Sequence, residues 1–350
     1  MDDGPRTLLL SGAQGLLGRA VARAWLAGDT SGTDGGARVV GFGRSSRLAD
    51  RYPYDLDVAG VVAPAHLPAE LRALETDTRY TYEQCDLADP AAVRELVGTT
   101  EPDVVVHAAA ALRDDDPATL ARTNVDGTRV LAAAAAAAAA VAGTRSARRF
   151  VLVSSGSVHG LAAARAAGVE PDPYPVSKLE SEHAAASALA GSGVVLDVCR
   201  VFNLVGPGLQ TRHLPARVAA DLVAISAGRA DPLLRLGSLG TSRDLVDVAD
   251  AAAAVVACAR RGSAATHEPA TDVGSGTPTL MRDLVALLVR LAGLDGAVEV
   301  REGAPRPYDP PSLVADPTAL RALGAPATTP LVDSCRALLG YLTVQLDATG

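Results

Sequence analysis

Leu8-Leu9-Leu10-Ser11-Gly12-Ala13-Gln14-Gly15-Leu16-Leu17-Gly18 is the stretch whose reading decides the fold. The apolar run Thr7–Leu10 predicts a buried strand, and the spacing over Leu17–Leu26 predicts a helix directly behind it. Between them the glycines fall as GxxGxxG. Gly12 permits a tight turn, Gly15 lets backbone approach an anion, and Gly18 lets helix and strand pack closely. Amides at the helix N-terminus, around Gln14, Leu16 and Leu17, would face that anion. Three glycines alone also suit a purely structural turn. Their position at the first strand–helix junction points instead to the pyrophosphate of a dinucleotide.

Working outward, further strands are predicted at Arg38–Gly41, Arg79–Cys85, Val104–His107, Phe150–Ser154 and Val195–Val201. They alternate with helical segments, which predicts an α/β fold: a Rossmann-type doubly wound parallel sheet over residues 1–203. From Leu204 the pattern changes. Short strands near Leu233–Leu236 and Val298–Val300 mix with helices over Val218–Ser226, Val248–Ala259 and Leu280–Leu291. This predicts a smaller α/β C-terminal substrate-binding lobe over 204–350, with a strand and helix near 240–275 interleaved into the first domain. The stretch from Arg44 to Asp77 contains prolines and a short helix near Pro68–Leu74, and its length suggests a lid or surface excursion. The alanine tract Leu131–Ala142 is a helix by propensity. Its small side chains suit a closely approaching partner helix, or reflect compositional drift.

Apolar residues make up 48% of the 350, enough for a sizeable core, yet aromatics are only 3%, so that core is built from Ala, Val and Leu. A net charge of −8 with no basic stretch argues against a nucleic-acid partner. The alanine tract is too short to span a bilayer, and Met1–Pro5 lacks the basic-then-apolar pattern of a signal peptide. Cys85, Cys199, Cys258 and Cys335 form no CxxC pair and read as buried thiols, not as a disulfide framework or metal site. A soluble cytoplasmic protein without a metal or membrane partner is expected.

The second strand ends Gly41-Phe42-Gly43-Arg44-Ser45-Ser46-Arg47. An NAD enzyme usually places an acid here to accept a hydrogen bond from the ribose 2′-hydroxyl. This chain offers arginines and serines, which would hold a 2′-phosphate, so NADP(H) is favoured over NAD(H), with Arg44 and Ser45 as contacts. An ordinary basic loop would carry the same residues. Asp86 and Leu87 end the third strand, where a carboxylate reaches the adenine amino group. Ala108, Ala109 and Ala110 follow the fourth, where small residues let a flat cofactor pass. His107 reads as a packed, hydrogen-bonded side chain.

Tyr174-Pro175-Val176-Ser177-Lys178 is YxxxK. On a helix, positions i and i+4 share a face, so the Lys178 ammonium is expected beside the Tyr174 phenol, lowering its pKa and fitting it for proton transfer. Lys178 would also hold the nicotinamide ribose. Upstream, the fifth strand ends Ser154-Ser155-Gly156-Ser157, where a hydroxyl would hydrogen-bond the substrate oxygen that gains or loses the proton.

These features, with Asn124 in Thr123-Asn124-Val125-Asp126-Gly127-Thr128 and the run Arg200-Val201-Phe202-Asn203-Leu204-Val205-Gly206-Pro207-Gly208, resemble extended short-chain dehydrogenases acting on nucleotide sugars, the NAD-dependent epimerase/dehydratase family. The resemblance covers nearly the whole chain. In the C-terminal half, Pro232–Leu239, Arg243–Val248, Arg306-Pro307-Tyr308-Asp309-Pro310 and Leu313–Pro317 are similar to the GDP-4-keto-6-deoxy-D-mannose reductase and GDP-mannose 4,6-dehydratase branch. The resemblance implies Ser155, Tyr174 and Lys178 as the catalytic set. It implies Asn124 supporting the lysine through water within the cofactor site. Ser157, Asn203, Arg243 and Arg306 would bind a nucleotide-diphosphate sugar, the arginines through bidentate phosphate contacts. It further implies a homodimer through the alanine-tract and Tyr174 helices.

The chain departs from that pattern in places. Dehydratases of the family resemble one another in an acid pair, or at least a Glu, just after the catalytic Ser or Thr, and this chain has Gly156 and Ser157. His159 stands where a tyrosine is common. Residues Leu161 to Pro173 read as a short Ala-rich loop at the substrate entrance. The expected activity is therefore reduction of a nucleotide-linked 4-keto-6-deoxy sugar. A redox-neutral epimerase is the alternative. Less favoured are a reductase of a non-sugar ketone and a non-catalytic dinucleotide sensor.

Overall fold

The computed structural model describes residues 7–28, 36–58, 60–141, 148–261, 270–304 and 309–348. β1 (Thr7–Ser11), α1 (Leu16–Ala27) and β2 (Arg38–Gly43) open the chain. A hairpin of β3 (Arg51–Val58) and β4 (Val61–His66) precedes α2 (Ala69–Arg72), β5 (Tyr80–Gln84), α3 (Pro90–Thr100) and β6 (Val104–His107). Next come α4 (Pro117–Leu120), α5 (Gly127–Ala139), β7 (Arg149–Ser155), α6 (Leu161–Ala166), α7 (Pro173–Leu189) and β8 (Val195–Val201). They are followed by β9 (Asn203–Val205), α8 (Leu214–Ser226), β10 (Leu233–Leu236), β11 (Ser242–Asp247), α9 (Val248–Arg260) and β12 (Thr271–Val273). β13 (Pro278–Leu280), α10 (Met281–Leu291), β14 (Glu299–Glu302), β15 (Ser312–Leu313), α11 (Thr318–Ala322) and α12 (Leu331–Asp347) complete the order.

Seven strands form one parallel sheet in the order β12-β8-β7-β6-β1-β2-β5. Successive side chains on a strand point to opposite faces, so a strand buried on both sides needs apolar residues at every position. β1 does this: Leu8 and Leu10 pack with α1 and α9, and Leu9 packs with α3, α5 and α7 on the other face. Val104 and Val106 against Val105, and Val151 against Phe150 and Leu152, repeat the division. The chain order reverses between β1 and β6, with Ser11 opposite both Phe42 and His107. At such a switch point the connections leave in opposite directions and open a crevice above the strand ends.

The second lobe is built around β11, which pairs with β9, β13 and β15, and a separate parallel pair of β10 with β14. Its core packs α8, α10 and α12 together. Between these elements the chain returns to the first lobe, where α9 packs on α1 and β12 extends the sheet beside β8.

Two expectations are corrected here. The Arg44–Asp77 stretch is neither a lid nor a surface excursion: Tyr52, Leu56, Val58, Ala65 and Leu67 are buried in the second lobe's core. Tyr54 Oη donates to the Gly208 carbonyl at 2.6 Å, Tyr341 Oη to the His66 carbonyl at 2.8 Å, and the His66 amide to Gln345 at 3.0 Å. The physical signal is alternation, Tyr52, Tyr54, Leu56 and Val58 against Pro53, Asp55 and Asp57. Pro53 is tolerated because a two-stranded hairpin leaves it an edge where no donor is needed. The segment expected as a loop over 161–173 instead carries α6 and the start of α7.

Leu56→Ala is expected to lower the unfolding free energy by about 2–4 kcal/mol, as for a core leucine, measured by urea denaturation. A peripheral hairpin would give a loss within about 0.5 kcal/mol.

Candidate functional site

The glycine turn caps the switch point. Gly12 has φ +67°, and a Cβ there would lie 2.6 Å from the Ala109 nitrogen. A Cβ on Gly18 would lie 2.2 Å from the Gly12 carbonyl oxygen, so α1 rests directly on the turn. The Gly12 amide is held by the Phe42 carbonyl at 3.0 Å, and Gly15 caps α1 without a side chain that could block its N-terminal amides. This cradle, which any Cβ at Gly12 or Gly18 would fill, fits a dinucleotide pyrophosphate.

Gln14 faces away from the cradle. Its amide donates to the Ser46 carbonyl at 3.0 Å and accepts from the Leu48 amide at 2.5 Å, so only its main chain remains for a cofactor. The same loop is braced by Arg19, a fully buried cation that pairs with Glu75 and donates to the Leu48 carbonyl at 2.5 Å. Arg47 also pairs with Glu75, at 2.9 Å. Of the two loop arginines, Arg44 therefore stands exposed beside exposed Ser45, and Arg47 fixes the loop. Asp86 is exposed after β5 and accepts from the Ala88 amide at 3.0 Å, with half-buried Leu87 beside it. Ala108, Ala109 and Ala110 are half-buried next to Gly12.

His107 is buried between Ser11 Oγ, 2.6 Å from Nδ1, and Thr128 Oγ1, 2.9 Å from Nε2. Thr128 donates its hydrogen to the Asn124 carbonyl, so it must accept from Nε2–H, leaving Nδ1 to accept from Ser11. Ser11 Oγ in turn accepts from the Ala108 and Ala109 amides at 3.1 and 3.2 Å. The network is complete with a neutral ring, and burial pushes the His107 pKa down to about 3. The ring orders the wall of the crevice.

Asn124 sits in a π-helical turn, Ala121–Asp126. It accepts from the Ala111 amide at 2.8 Å, donates to the Ala111 carbonyl at 3.2 Å, and reaches Ser177 Oγ at 2.9 Å. It thus ties the loop after β6 to the Tyr174 helix, with its contacts on Ser177 and not on Lys178.

Ser154 and Ser155 point to opposite faces of β7. Ser154 donates to Glu182 at 2.5 Å, inside a network with Arg200, and is structural. Ser155 Oγ lies 2.9 Å from Ser157 Oγ and accepts from the Ser157 amide at 3.2 Å, and its hydroxyl is near enough to the Tyr174 phenol to lower its pKa. Lys178 is 3% exposed and donates to the Val153 carbonyl at 2.7 Å. This corrects the expected source of phenol acidity. Burial holds the Tyr174 phenol above its ordinary pKa, opposed by the Ser155 hydrogen bond and the Arg113 charge, while Asp172 raises it. Burial pushes the Lys178 ammonium down to about 8, with Glu182 acting the other way.

On the substrate side, Asn203 and Arg243 lie on paired strands, and Asn203 donates to the Asp244 carbonyl at 2.9 Å. The Arg243 guanidinium pairs with Asp309 and donates to the Pro310 carbonyl at 2.9 Å. Arg306 lies outside the described residues. A Cβ at Gly156 would sit 2.6 Å from the Phe202 ring, so the aromatic fills the space a side chain at 156 would need. His159 pairs with Asp272 at 2.8 Å and stacks near Phe202, ring centroids 6.0 Å apart. Sequence reasoning missed Arg19, Arg113 and Phe202. The two arginines find their carboxylates 56 and 59 residues away, Phe202 meets Gly156 from the link between β8 and β9, and nothing local marks any of them.

A parallel sheet with a glycine cradle at its switch point, and a Ser–Tyr–Lys group on the neighbouring strand end and helix, defines an NAD(P)-dependent enzyme of the extended short-chain dehydrogenase/reductase type. Residues 8–274 match the NAD dependent epimerase/dehydratase family, and the chain belongs to it. It is 30% identical over 247 residues to GDP-6-deoxy-D-mannose reductase of Pseudomonas aeruginosa, covering 67% of this chain and 75% of that one. It is 32% identical over 212 residues to dTDP-6-deoxy-L-talose 4-dehydrogenase (NAD(P)(+)) of Kitasatospora kifunensis, covering 59% and 64%. The solved structure of RMD from Pseudomonas aeruginosa complexed with NADPH shares the fold, with TM-score 0.69 and 23% identity over 97% of this chain and 99% of that one. Among the described residues, no helix is long and apolar enough to cross a membrane.

Because its folded pKa is depressed from 6.5 to about 3, His107 contributes stability that is full above pH 6.5 and is lost as pH falls toward 3. Comparing urea unfolding of the parent and His107→Gln, the gap between them should narrow by about 2 kcal/mol from about pH 7 to about pH 5. A constant gap would mean that His107 has the same pKa in the folded and unfolded chain.

Proposed function

We propose that the protein is an NADPH-dependent reductase of a nucleotide-linked 4-keto-6-deoxy sugar. The observation that carries this reading is the Tyr174 phenol, protonated at neutral pH, on one helix with buried Lys178 and beside the Ser155 end of β7 next to the cofactor cradle. A proton donor for carbonyl reduction needs that state.

When bound, the dinucleotide supplies hydride to the carbonyl carbon. Tyr174 delivers its proton to the carbonyl oxygen, giving the alcohol, and Ser155 orients that oxygen. Lys178 holds the ribose from the same helix face. Asn203 and Arg243 bind the diphosphate side of the substrate together with Arg306, and Ser157 supports Ser155. Next to Arg243, the buried Asp244 carboxylate accepts from the Ser275, Gly276 and Ala315 amides and so anchors the strand that presents the arginine. Water elimination needs a base for the C5 proton. Positions 156 and 157 offer none, and the Phe202 ring opposes a side chain at 156. The relatives named GDP-6-deoxy-D-mannose reductase and GDP-6-deoxy-D-talose 4-dehydrogenase support a 4-keto-6-deoxy or 4-hydroxy partner.

NADPH absorbance is to be followed with purified protein and freshly generated GDP-4-keto-6-deoxymannose. Stoichiometric NADPH loss is expected, falling at least about 100-fold in Tyr174→Phe. Conversion of the sugar without net NADPH loss would instead identify an epimerase. Absence of both outcomes would exclude this substrate.

The exposed Arg44 supports the NADP(H) preference, since a guanidinium clamps a 2′-phosphate that NADH lacks. Arg44→Ala is expected to raise the KM for NADPH about tenfold and leave that for NADH unchanged. Equal effects on both would assign Arg44 to the loop fold alone.

A further inference from the structure

The loop after β6 brings a cation to Tyr174 that the YxxxK pattern does not contain. A tight turn, in which the Leu112 amide donates to Asp115 at 2.6 Å and the Asp115 amide to the Leu112 carbonyl at 2.9 Å, presents Arg113. Its guanidinium lies 5.7 Å from the centroid of the Tyr174 ring. It also pairs with Asp172, whose other oxygen caps α7 by accepting from the Tyr174 amide at 2.9 Å. Asn124 fixes the root of this turn through Ala111 and fixes the helix through Ser177. Cation, ring and capping carboxylate are therefore held together from both sides.

We propose that Arg113 is a positioning residue for the reaction: held over the Tyr174 ring by Asp172, it sets the strength of that phenol as a proton donor. This rests on Tyr174 being the proton donor. The groups facing the phenol can be named element by element. Ser155 faces it from the end of β7. Asp172 and Lys178 belong to its own helix, with the Lys178 ammonium turned to the Val153 carbonyl. Arg113 faces it from the loop after β6. Behind Arg113, at the entrance to α8, stand His213 and Arg212, the latter 3.9 Å from Asp114. The His107 ring is near enough to Lys178 to feel its charge. Arg113 is the cation among them that stacks on the ring, and a cation near a phenol favours the phenolate.

The test uses the full chain and titrates the phenol directly, as the ultraviolet difference between each background and the same background carrying Tyr174→Phe. Arg113→Gln should move the titration up by about half a pH unit, a modest value because the arginine is partly solvent-screened. Arg113→Lys should restore it. In the reductase assay, Arg113→Gln should lower kcat several-fold at neutral pH and carry the alkaline limb of the kcat profile upward by the same shift. Unchanged titration in Arg113→Gln would overturn the proposal. So would a raised KM with an unshifted limb, which would make Arg113 a substrate contact only. Full activity in Tyr174→Phe would instead remove the reading beneath it, whereas an inactive Tyr174→Phe with an unshifted Arg113→Gln defeats this inference alone.

Discussion

Backbone-to-backbone contact at the switch point is the constraint on which the rest depends. Gly12, Gly18 and Ala109 approach so closely that a side chain at either glycine would meet main-chain atoms. That proximity sets how near α1 stands to β1 and β6, and therefore where its amides point. Everything that serves the crevice is placed relative to it: the Ser11–His107–Thr128 chain, the loop after β6, and through Asn124 the helix of Tyr174. Neutral, fully hydrogen-bonded groups build the Ser11–His107–Thr128 chain, so that chain has no buried charge to stabilise.

Charge beside this chain is held in ion pairs. Arg19 and Arg47 converge on Glu75 beneath the loop after β2, and Arg113 bridges to the cap of α7. In each case a guanidinium joins segments distant in sequence. Its several donors in one plane suit this task better than an ammonium would. Lys178 is the exception, a buried ammonium on a carbonyl, and burial lowers its pKa accordingly.

What was legible in the sequence follows the range of each interaction. The glycine turn, the parallel strands and YxxxK are encoded within a few residues, where periodicity and steric rules apply directly. The reading of the hairpin as an excursion fails because its partners lie in α8 and α12, and Pro53 obscures a period of two. The phenol's surroundings fail for the same reason: YxxxK fixes a helix face but not where the ammonium turns, and Arg113 enters from another loop. Ser154 and Ser155 cannot be told apart by spacing, and strand pleat decides between them.

The hairpin has a consequence for how the chain is made. Tyr52, Leu56, Val58, Ala65 and Leu67 leave the ribosome well before the helices that cover them, α8 and α12, have been synthesised. Until then an apolar strand pair hangs from a nearly complete dinucleotide-binding lobe, a state prone to association with other chains. Closure of the second lobe joins residues 275 positions apart, as between His66 and Tyr341, so its assembly is a late, non-local event. Separating the two lobes by cutting after β8 would leave that strand pair without its cover.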